Sequence, residues 1–277
     1  MRILVVGAGV VGFATGDGLQ RFGHDVIFLD IDENRRKWLK DRDYSVCGTE
    51  LYAPIQHLGE DSSIILPLAF DIIFICVREE HVEEVIQTLK SARAKSALTW
   101  NIIVVRSTVN PGTTEYLQKQ YALHICHNPE FLTEAQSQWD FLNPGRVVFG
   151  ECCKEHGDIL QQLYTPFLVQ IIRTNRKTSE MIKLATNACF ASMISFWNEI
   201  KQICDRLGVN STEIGAAVCK DHRISNYGAR FHGRPFGGFC LPKDLNHMLE
   251  VAASVNYEAP LLTAIKTVNE RAGKPCK

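Results

Sequence analysis

Short apolar runs rich in β-branched residues alternate with helical stretches through the first half of the chain. These runs, which read as strands, are RILVVG, DVIFLD, DIIFICV, NIIVVRST, LHICHNPEF, RVVFG and LVQIIRT, the last reaching about residue 174. Regular alternation of strands and helices predicts a mostly parallel sheet with helices on both faces. We therefore expect an α/β fold in residues 1–174, with a Rossmann-type doubly wound parallel sheet.

The pattern changes after about residue 175. From about Thr178 to Leu207 the chain has no proline or glycine and carries apolar residues at helical spacing, which predicts one long helix ended by Gly208. Shorter helices are expected around residues 211–221, 244–256 and 260–271. Residues 175–277 should therefore form a second, all-α domain.

Composition and charge are those of an ordinary globular protein, with 45% hydrophobic and 22% charged residues among 277. Thirty basic and 31 acidic residues leave a net charge of −1, so no global field attracts nucleic acid or an anionic membrane. The chain opens directly on a strand, and no apolar run approaches membrane-spanning length. Ten scattered cysteines without a C-x-x-C pair suit a reducing compartment. We expect a soluble cytoplasmic protein.

A glycine-rich turn, GAGVVG, lies between the first strand and the first expected helix. The glycines from Gly7 to Gly12 permit a tight turn and let the backbone approach a pyrophosphate at the helix N-terminus. Asp30 ends the second strand eighteen residues after Gly12, where a carboxylate accepts hydrogen bonds from the adenosine ribose and repels a 2′-phosphate. NAD is therefore favoured, although Arg35 or Arg36 can accept the 2′-phosphate of NADP.

Three polar clusters follow: STVNPGTT (107–114), NPEFLTEA (128–135) and EMIKLATNACF (180–190). The first two follow strands, at the carboxyl edge where doubly wound sheets bind ligands. Lys183 and Asn187 share a helix face, and together they can hold the oxygen of an alcohol as it becomes an alkoxide. A solvated helix lysine is the alternative for Lys183. A charged outer face is the alternative for Glu130 and Glu134.

The stretch FGGFCLPKD (236–244) places a thiol in a setting that suggests chemistry. Gly237 and Gly238 allow the backbone to bend close to a ligand, while Lys243 and Asp244 bring charge beside Cys240. A helix beginning near Asp244 would favour the thiolate. The alternative is an inert, buried cysteine.

No metal site is expected from the sequence. In the HICH stretch, His124 and Cys126 would point to one side of a strand and His127 to the other. Cys152 and Cys153 read as plain thiols.

The motifs GAGVVG, STVNPGTT, NPEFLTEA, NPGRVVFG, KLATN and GGFCLPKD, in this order, resemble the UDP-glucose/GDP-mannose dehydrogenase family from residue 1 to about residue 271. Members of this family oxidise the C6 hydroxyl of a nucleotide sugar such as UDP-glucose to a carboxylate, and they use two NAD per turnover. The resemblance implies an NAD-dependent enzyme with a nucleotide-sugar substrate. It also implies a homodimer formed through the helix at 178–207.

The resemblance assigns a role to each catalytic candidate. Lys183 and Asn187 would stabilise the oxygen while the first hydride leaves C6. Cys240 would attack the resulting aldehyde to form a thiohemiacetal, and a second hydride transfer would give a thioester. Water would then release the acid; the residues that would order it are Asp244, Thr108 and Glu130.

Binding residues carry over from the family in the same way. The NAD contacts match Gly7, Gly9, Val11, Gly12, Asp30, Arg35, Val77, Ser107, Thr108 and Glu134. The substrate contacts match Phe131, Leu132, Lys183, Asn187 and Gly237, with Arg223 matching an arginine lent across the dimer.

Three departures from the family pattern leave other readings open. Family members continue into a third α/β domain that completes the sugar pocket, whereas this sequence stops at Lys277. REEH follows Val77 where the family has Thr-Pro, and the connection between residues 48 and 70 is short. One alternative is a β-hydroxyacid-type dehydrogenase that performs a single two-electron oxidation. The other is a non-catalytic NAD-binding homologue without substrate affinity.

Overall fold

The computed structural model describes residues 1–48, 68–94 and 98–272. Its contacts divide the chain into two compact units, Met1–Met181 and Ile182–Lys277. The predicted domain division between residues 174 and 175 stays a prediction. The short connection noted between residues 48 and 70 lies largely outside the described residues.

The first unit is built on one eight-stranded sheet with helices between the strands. In chain order its elements are β1 (Arg2–Val6), α1 (Val10–Arg21), β2 (Asp25–Leu29), α2 (Glu33–Lys40), β3 (Val46–Cys47), β4 (Leu68–Ile75), α3 (Val82–Ala94), β5 (Leu98–Val105), α4 (Thr113–Tyr121), β6 (Ile125–His127), α5 (Ser137–Leu142), β7 (Val147–Glu151), α6 (Lys154–Tyr164) and β8 (Ile171–Asn175). The strand order is β3-β2-β1-β4-β5-β6-β7-β8. All neighbouring strands are parallel except β6 and β7, which are antiparallel. The predicted Rossmann-type sheet is therefore confirmed.

The central strands are apolar on both sides because the sheet is covered on both faces. Side chains alternate across a strand, so Ile3 and Val5 join one buried cluster while Leu4 and Val6 join the other. Both clusters are essentially inaccessible to solvent at these positions. This sheet carries the loops at its carboxyl edge, where the candidate residues of the first unit lie.

The second unit consists of helices. α7 (Arg176–Leu207) begins in the first unit and continues into the second, where α8 (Ser211–Val218), α9 (Cys240–Ser254) and α10 (Pro260–Arg271) follow. The long helix is confirmed. The helix predicted at 244–256 begins at Cys240 instead. Pro242 is compatible with this earlier start because it lies in the first turn, where the N–H that proline lacks would have no partner within the helix. No helix in the described part of the chain is both long and apolar enough to cross a membrane.

Candidate active site

The glycine turn after β1 is shaped by backbone packing. Gly7 has a φ of +85°, and a Cβ on Gly12 would lie 1.8 Å from the carbonyl oxygen of Gly7. A Cβ on Gly9, by contrast, would meet nothing within 4 Å. Gly7 and Gly12 are thus required by the fold of the turn, while Gly9 leaves open space at the N-terminus of α1, as a bound pyrophosphate needs.

Asp30 and Arg35 both hold this turn in place. Asp30 Oδ2 accepts a hydrogen bond from the backbone N–H of Ala8 at 2.7 Å, and Arg35 Nε donates to the carbonyl of Ala8 at 2.6 Å. Burial lowers the pKa of Arg35, whose guanidinium lies 4.1 Å from the ring centroid of Trp38. Arg36 Nη1 donates to the carbonyl of Asp30 at 3.0 Å, so this arginine is engaged with the backbone.

An open cavity of about 480 Å³ lies beside the turn within the first unit. Its lining includes Gly9, Phe13, Asp30, Arg35, Trp38 and Glu134. Val11 is half-buried in the first turn of α1. A carboxylate at the end of the second strand and an open helix N-terminus are the two features that a dinucleotide requires of this fold, so these residues fit NAD.

The loops after β4 and β5 contact each other. Ser107 Oγ donates to the carbonyl of Val77 at 2.6 Å, and Ser107 is buried, while Thr108 beside it is half-buried. The stretch REEH therefore follows Val77, whose carbonyl is hydrogen-bonded to the STVNPGTT loop. The last three residues of REEH, Glu79–His81, form a single 3-10 turn.

Glu180 was not predicted as a site residue, yet it fixes the STVNPGTT loop. Its Oε2 accepts from the backbone N–H of Gly112 at 2.5 Å. Its Oε1 accepts from the N–H of Thr114 at 2.9 Å and from the hydroxyl of Thr114 at 2.7 Å. Burial raises the pKa of Glu180, although these hydrogen bonds oppose the shift. Its sequence signal was only its place at the start of the polar cluster at 180–190.

A buried polar network holds the loop that begins with Asn128. Asn128 Oδ1 accepts from the guanidinium of Arg106 and from the hydroxyl of Tyr164, and Asn128 Nδ2 donates to the carbonyl of Val148 at 2.7 Å. Arg106 is 4% exposed. The sequence reading missed Arg106 because it lies inside a stretch assigned as strand.

Glu130, Phe131 and Leu132 lie in the same loop. Glu130 is buried, and its Oε2 accepts from the backbone N–H of Leu132 at 2.6 Å. Glu134 is exposed and begins a separate 3-10 turn. The alternative of one charged outer helical face is therefore wrong. The ring of Phe131 lies 4.1 Å below the guanidinium of Arg146.

In the second unit, Lys183 and Asn187 lie one turn apart on α7 and are 4% and 6% exposed. Lys183 is therefore not a solvated surface lysine. Asn187 Nδ2 donates to Oδ2 of Asp244, which is 1% exposed. Lys243 Nζ lies 2.6 Å from the other oxygen of Asp244. The structure thus joins an amide and a carboxylate that the sequence had placed in separate roles.

Cys240 is the first residue of α9 and is exposed, so the alternative of an inert buried cysteine does not describe it. Its side chain therefore stands at the positive end of the helix dipole. Two residues before Cys240, Gly238 has a φ of +71°, and a Cβ on Gly237 would meet nothing within 4 Å, so the loop leaves open space at Gly237. Arg223 is exposed and forms a bidentate ion pair with Asp221.

Several predicted residues are therefore brought together inside each unit. Asp30, Arg35 and Glu134 share the cavity at the glycine turn. Asn187 contacts Asp244 in the second unit. Thr108 and Glu130 belong to the first unit, whereas Lys183, Asn187, Cys240 and Asp244 belong to the second. The catalytic and substrate-binding roles of these residues stay predictions.

Comparison with known proteins agrees with the resemblance seen in the motifs. UDP-glucose 6-dehydrogenase YwqF of Bacillus subtilis is 30% identical over 97% of this chain and 66% of its own length. GDP-mannose 6-dehydrogenase of Pseudomonas aeruginosa is also 30% identical, over 97% of this chain and 68% of its own length. A solved UDP-glucose dehydrogenase from the archaeon Pyrobaculum islandicum matches with a TM-score of 0.84 and 26% identity, covering 98% of this chain and 68% of that one.

The chain thus spans about two thirds of the length of these relatives. Residues 1–168 match the NAD binding domain of the UDP-glucose/GDP-mannose dehydrogenase family, and residues 177–271 match its central domain. The turn geometry and the domain match agree on the cofactor, which is NAD. With both domains matched in order, and with relatives at this identity along nearly the whole chain, the protein belongs to the UDP-glucose/GDP-mannose dehydrogenase family.

Proposed function

We propose that the chain carries the catalytic residues of an NAD-dependent nucleotide-sugar 6-dehydrogenase, which oxidises a C6 hydroxyl to a carboxylate in two steps. The observation that carries the proposal is the exposed thiol of Cys240 at the N-terminus of α9, with buried Asp244 one turn later. A single oxidation of an alcohol needs no nucleophile. A thiol beside a buried carboxylate suits an oxidation that continues from the aldehyde to the acid.

The first oxidation converts the alcohol to an aldehyde. When bound, NAD accepts one hydride in each of the two oxidations. The C6 hydroxyl releases its proton to solvent as the hydride leaves, so partial negative charge builds on that oxygen on the way to the aldehyde. The ammonium of Lys183 and the amide of Asn187 are buried groups that stabilise such a charge far better than water-exposed groups do.

The second oxidation proceeds through covalent capture of the aldehyde. The Cys240 thiolate adds to C6 and the aldehyde oxygen takes up a proton, giving a thiohemiacetal; loss of its C6 hydride and its hydroxyl proton then gives a thioester. Water then attacks the thioester carbon, the carbon–sulfur bond breaks, and Cys240 leaves as a thiolate. In the second unit the group that orders this water is Asp244, and the hydrogen bond from Asn187 keeps the Asp244 carboxylate in one orientation.

Counting NADH per sugar tests the proposal. The protein is incubated with NAD and a panel of UDP-, GDP- and TDP-sugars, and two NADH should form for each sugar consumed. Cys240→Ser should stop after the first oxidation or nearly abolish turnover. Cys219→Ser, which removes a half-buried thiol elsewhere in the second unit, should behave like the unmodified protein.

Two results would contradict the proposal. One NADH per substrate, with activity unaffected by Cys240→Ala, would favour a two-electron dehydrogenase. No NADH from any sugar, with NAD binding verified by calorimetry, would favour a non-catalytic NAD-binding protein. The panel also addresses the choice of base and sugar, because the UDP-glucose and GDP-mannose relatives are equally similar to this chain at 30% identity.

We also propose that the protein forms a homodimer through residues 178–207 of α7. Phe196, Ile203 and Leu207 are 55%, 50% and 70% exposed and lie seven and four residues apart, so they share one side of the helix. An apolar stripe of this kind favours contact with a second apolar surface. Exposed Arg223 is the residue that we propose to serve the partner's site.

A further inference from the structure

A group of metal-binding side chains lies at the edge of the sheet opposite to the glycine turn. β6 runs parallel to β5, so His124, just before β6, lies at the amino edge of these strands. β7 is antiparallel to β6, so the end of β7 returns to that same edge and brings Cys152 and Cys153 with it. The first turn of α6 then adds His156.

The four ligand atoms converge closely. One ligand atom from each of His124, Cys152, Cys153 and His156 lies within 4.8 Å of all the others. His156 Nδ1 is 3.2 Å from the sulfur of Cys152 and 3.1 Å from the sulfur of Cys153. The sulfur of Cys152 is 4.0 Å from His124 Nδ1.

These distances are close to those around a tetrahedral zinc ion. With Zn–S bonds of about 2.3 Å and Zn–N bonds of about 2.0 Å, ligand atoms are separated by roughly 3.3–3.8 Å. Two thiolates also neutralise the charge of Zn²⁺, and two imidazoles complete a Cys₂His₂ set, which favours zinc over calcium or magnesium. We propose that His124, Cys152, Cys153 and His156 form a zinc site that ties β6, β7 and α6 together.

The surrounding backbone holds the ligands near these positions. Cys153 is the residue that precedes α6, so its side chain stands at the positive end of that helix, three residues before His156. The segment next to His124 is fixed by Arg176, whose Nη1 donates to the carbonyl of Ile125 at 3.1 Å. His124 is exposed and the other three ligands are half-buried, so an ion can enter from solvent.

A neighbouring thiol offers the main competing chemistry. The sulfur of Cys126 lies 3.6 Å from the sulfur of Cys152. The Cys126 sulfur also accepts a hydrogen bond from the backbone N–H of Cys152 at 3.4 Å. Oxidation of this pair to a disulfide would remove Cys152 from the ligand set. The zinc site and the disulfide respond in opposite ways to reduction. Zinc binds reduced thiolates, whereas the disulfide exists only when the two thiols are oxidised.

Cobalt substitution tests the site directly. The full chain is stripped of metal with a chelator, reduced with a phosphine, and titrated with Co²⁺ under anaerobic conditions. We expect one equivalent of Co²⁺ to produce thiolate-to-cobalt absorption and the visible bands of tetrahedral cobalt, and Zn²⁺ to abolish both. Cys153→Ser and His156→Ala should each weaken binding about 100-fold or more, since even outer contacts of a metal site are worth 10–100-fold.

Matched controls separate the site from general thiol and histidine binding. Cys219→Ser and His222→Ala, at a half-buried cysteine and an exposed histidine of the second unit, should leave the cobalt spectrum unchanged. Cys126→Ser should retain it too. NAD affinity, measured on every variant, reports whether the first unit remains folded.

The proposal is overturned if the reduced, unmodified chain shows no thiolate-to-cobalt absorption. It is equally overturned if Cys153→Ser, with NAD affinity intact, binds Co²⁺ as tightly as the unmodified chain. Loss of the spectrum in Cys126→Ser alone would assign the chemistry to the Cys126–Cys152 pair instead.

Discussion

Substitution of Gly12 by alanine should damage both the stability of the first unit and its binding of NAD. The new Cβ would lie 1.8 Å from the carbonyl oxygen of Gly7, whereas Cβ contacts shorter than 3.0 Å essentially never occur. The turn and α1 must therefore separate by at least 1.2 Å. Since the neighbouring atom is backbone, no side-chain rotation can relieve the overlap.

The magnitude follows from two opposing effects. Overpacking of this kind costs about 3 kcal/mol, at the upper end of the usual range, because the backbone must move. Alanine is better than glycine inside a helix by about 1 kcal/mol. The net loss of about 2 kcal/mol corresponds to a melting temperature lower by roughly 4–8 °C for a unit of this size.

Gly9→Ala is the matched control for the cofactor. Its Cβ meets nothing within 4 Å, so we expect a stability change below about 1 kcal/mol. The same methyl group occupies the open space where a pyrophosphate must approach the backbone, so the Kd for NAD should rise at least about tenfold, or 1.4 kcal/mol. Thermal denaturation and calorimetric titration with NAD measure the two quantities separately.

Either of two results would refute this reasoning. Gly12→Ala with an unchanged melting temperature would mean that the turn does not have the packing described. Gly9→Ala with unchanged NAD affinity would mean that the cofactor does not approach the backbone at this turn.

Three further predictions concern the residues that support the site and the long helix. Glu180→Gln should destabilise the first unit by about 1–3 kcal/mol at pH 7, since an amide NH₂ then faces a backbone donor. Because burial raises the pKa of Glu180, the proton-linked part of its contribution to stability is fully present below its unfolded pKa of about 4.3 and is lost as the pH rises through the folded pKa, whereas its hydrogen bonds to Gly112 and Thr114 remain at pH 7. Urea unfolding across this pH range should show that loss in the unmodified protein and not in the variant; equal slopes would refute the assignment. Asn128→Ala should cost about 3 kcal/mol in thermal unfolding, since it removes one of the two side-chain acceptors of the buried Arg106 guanidinium and the acceptor of the Tyr164 hydroxyl, whereas exposed Asn143→Ala should cost less than about 1 kcal/mol. Phe196→Lys should convert the proposed dimer to a monomer in analytical ultracentrifugation while exposed Leu168→Lys does not; a monomeric unmodified protein, or a dimer that Phe196→Lys leaves unchanged, would exclude this face of α7 as the interface.

Most of the fold could be predicted because its signals are periodic and local. The runs that became β1, β4 and β5 each contain four consecutive buried apolar residues (3–6, 72–75 and 102–105), as strands covered on both faces require. The uninterrupted helical pattern after residue 178 gave α7 to within two residues at its start. β3 was missed because it has only two residues, too few to show a period of two.

The residues of the candidate site also fall into two groups, those that local sequence predicts and those that it does not. Residues carried by motifs, such as Asp30 and Cys240, could be chosen from their neighbours in sequence. Glu180, Arg106 and Tyr164 could not, because their importance comes from partners 22 to 68 residues away. A buried polar side chain has no sequence pattern of its own; only the folded structure supplies the donors and acceptors that explain its burial.

The four proposed zinc ligands could not be predicted as a group from the sequence. His124 and Cys152 are 28 residues apart, and no local spacing joins them. Had β7 continued the parallel pattern of the sheet, its end would lie at the carboxyl edge, the whole length of a strand away from His124. Among the described strands, the antiparallel pairing of β6 with β7 is what returns Cys152 and Cys153 to the amino edge. Period and composition predict that strands exist, but the direction in which a strand runs decides which of its end residues can share a ligand.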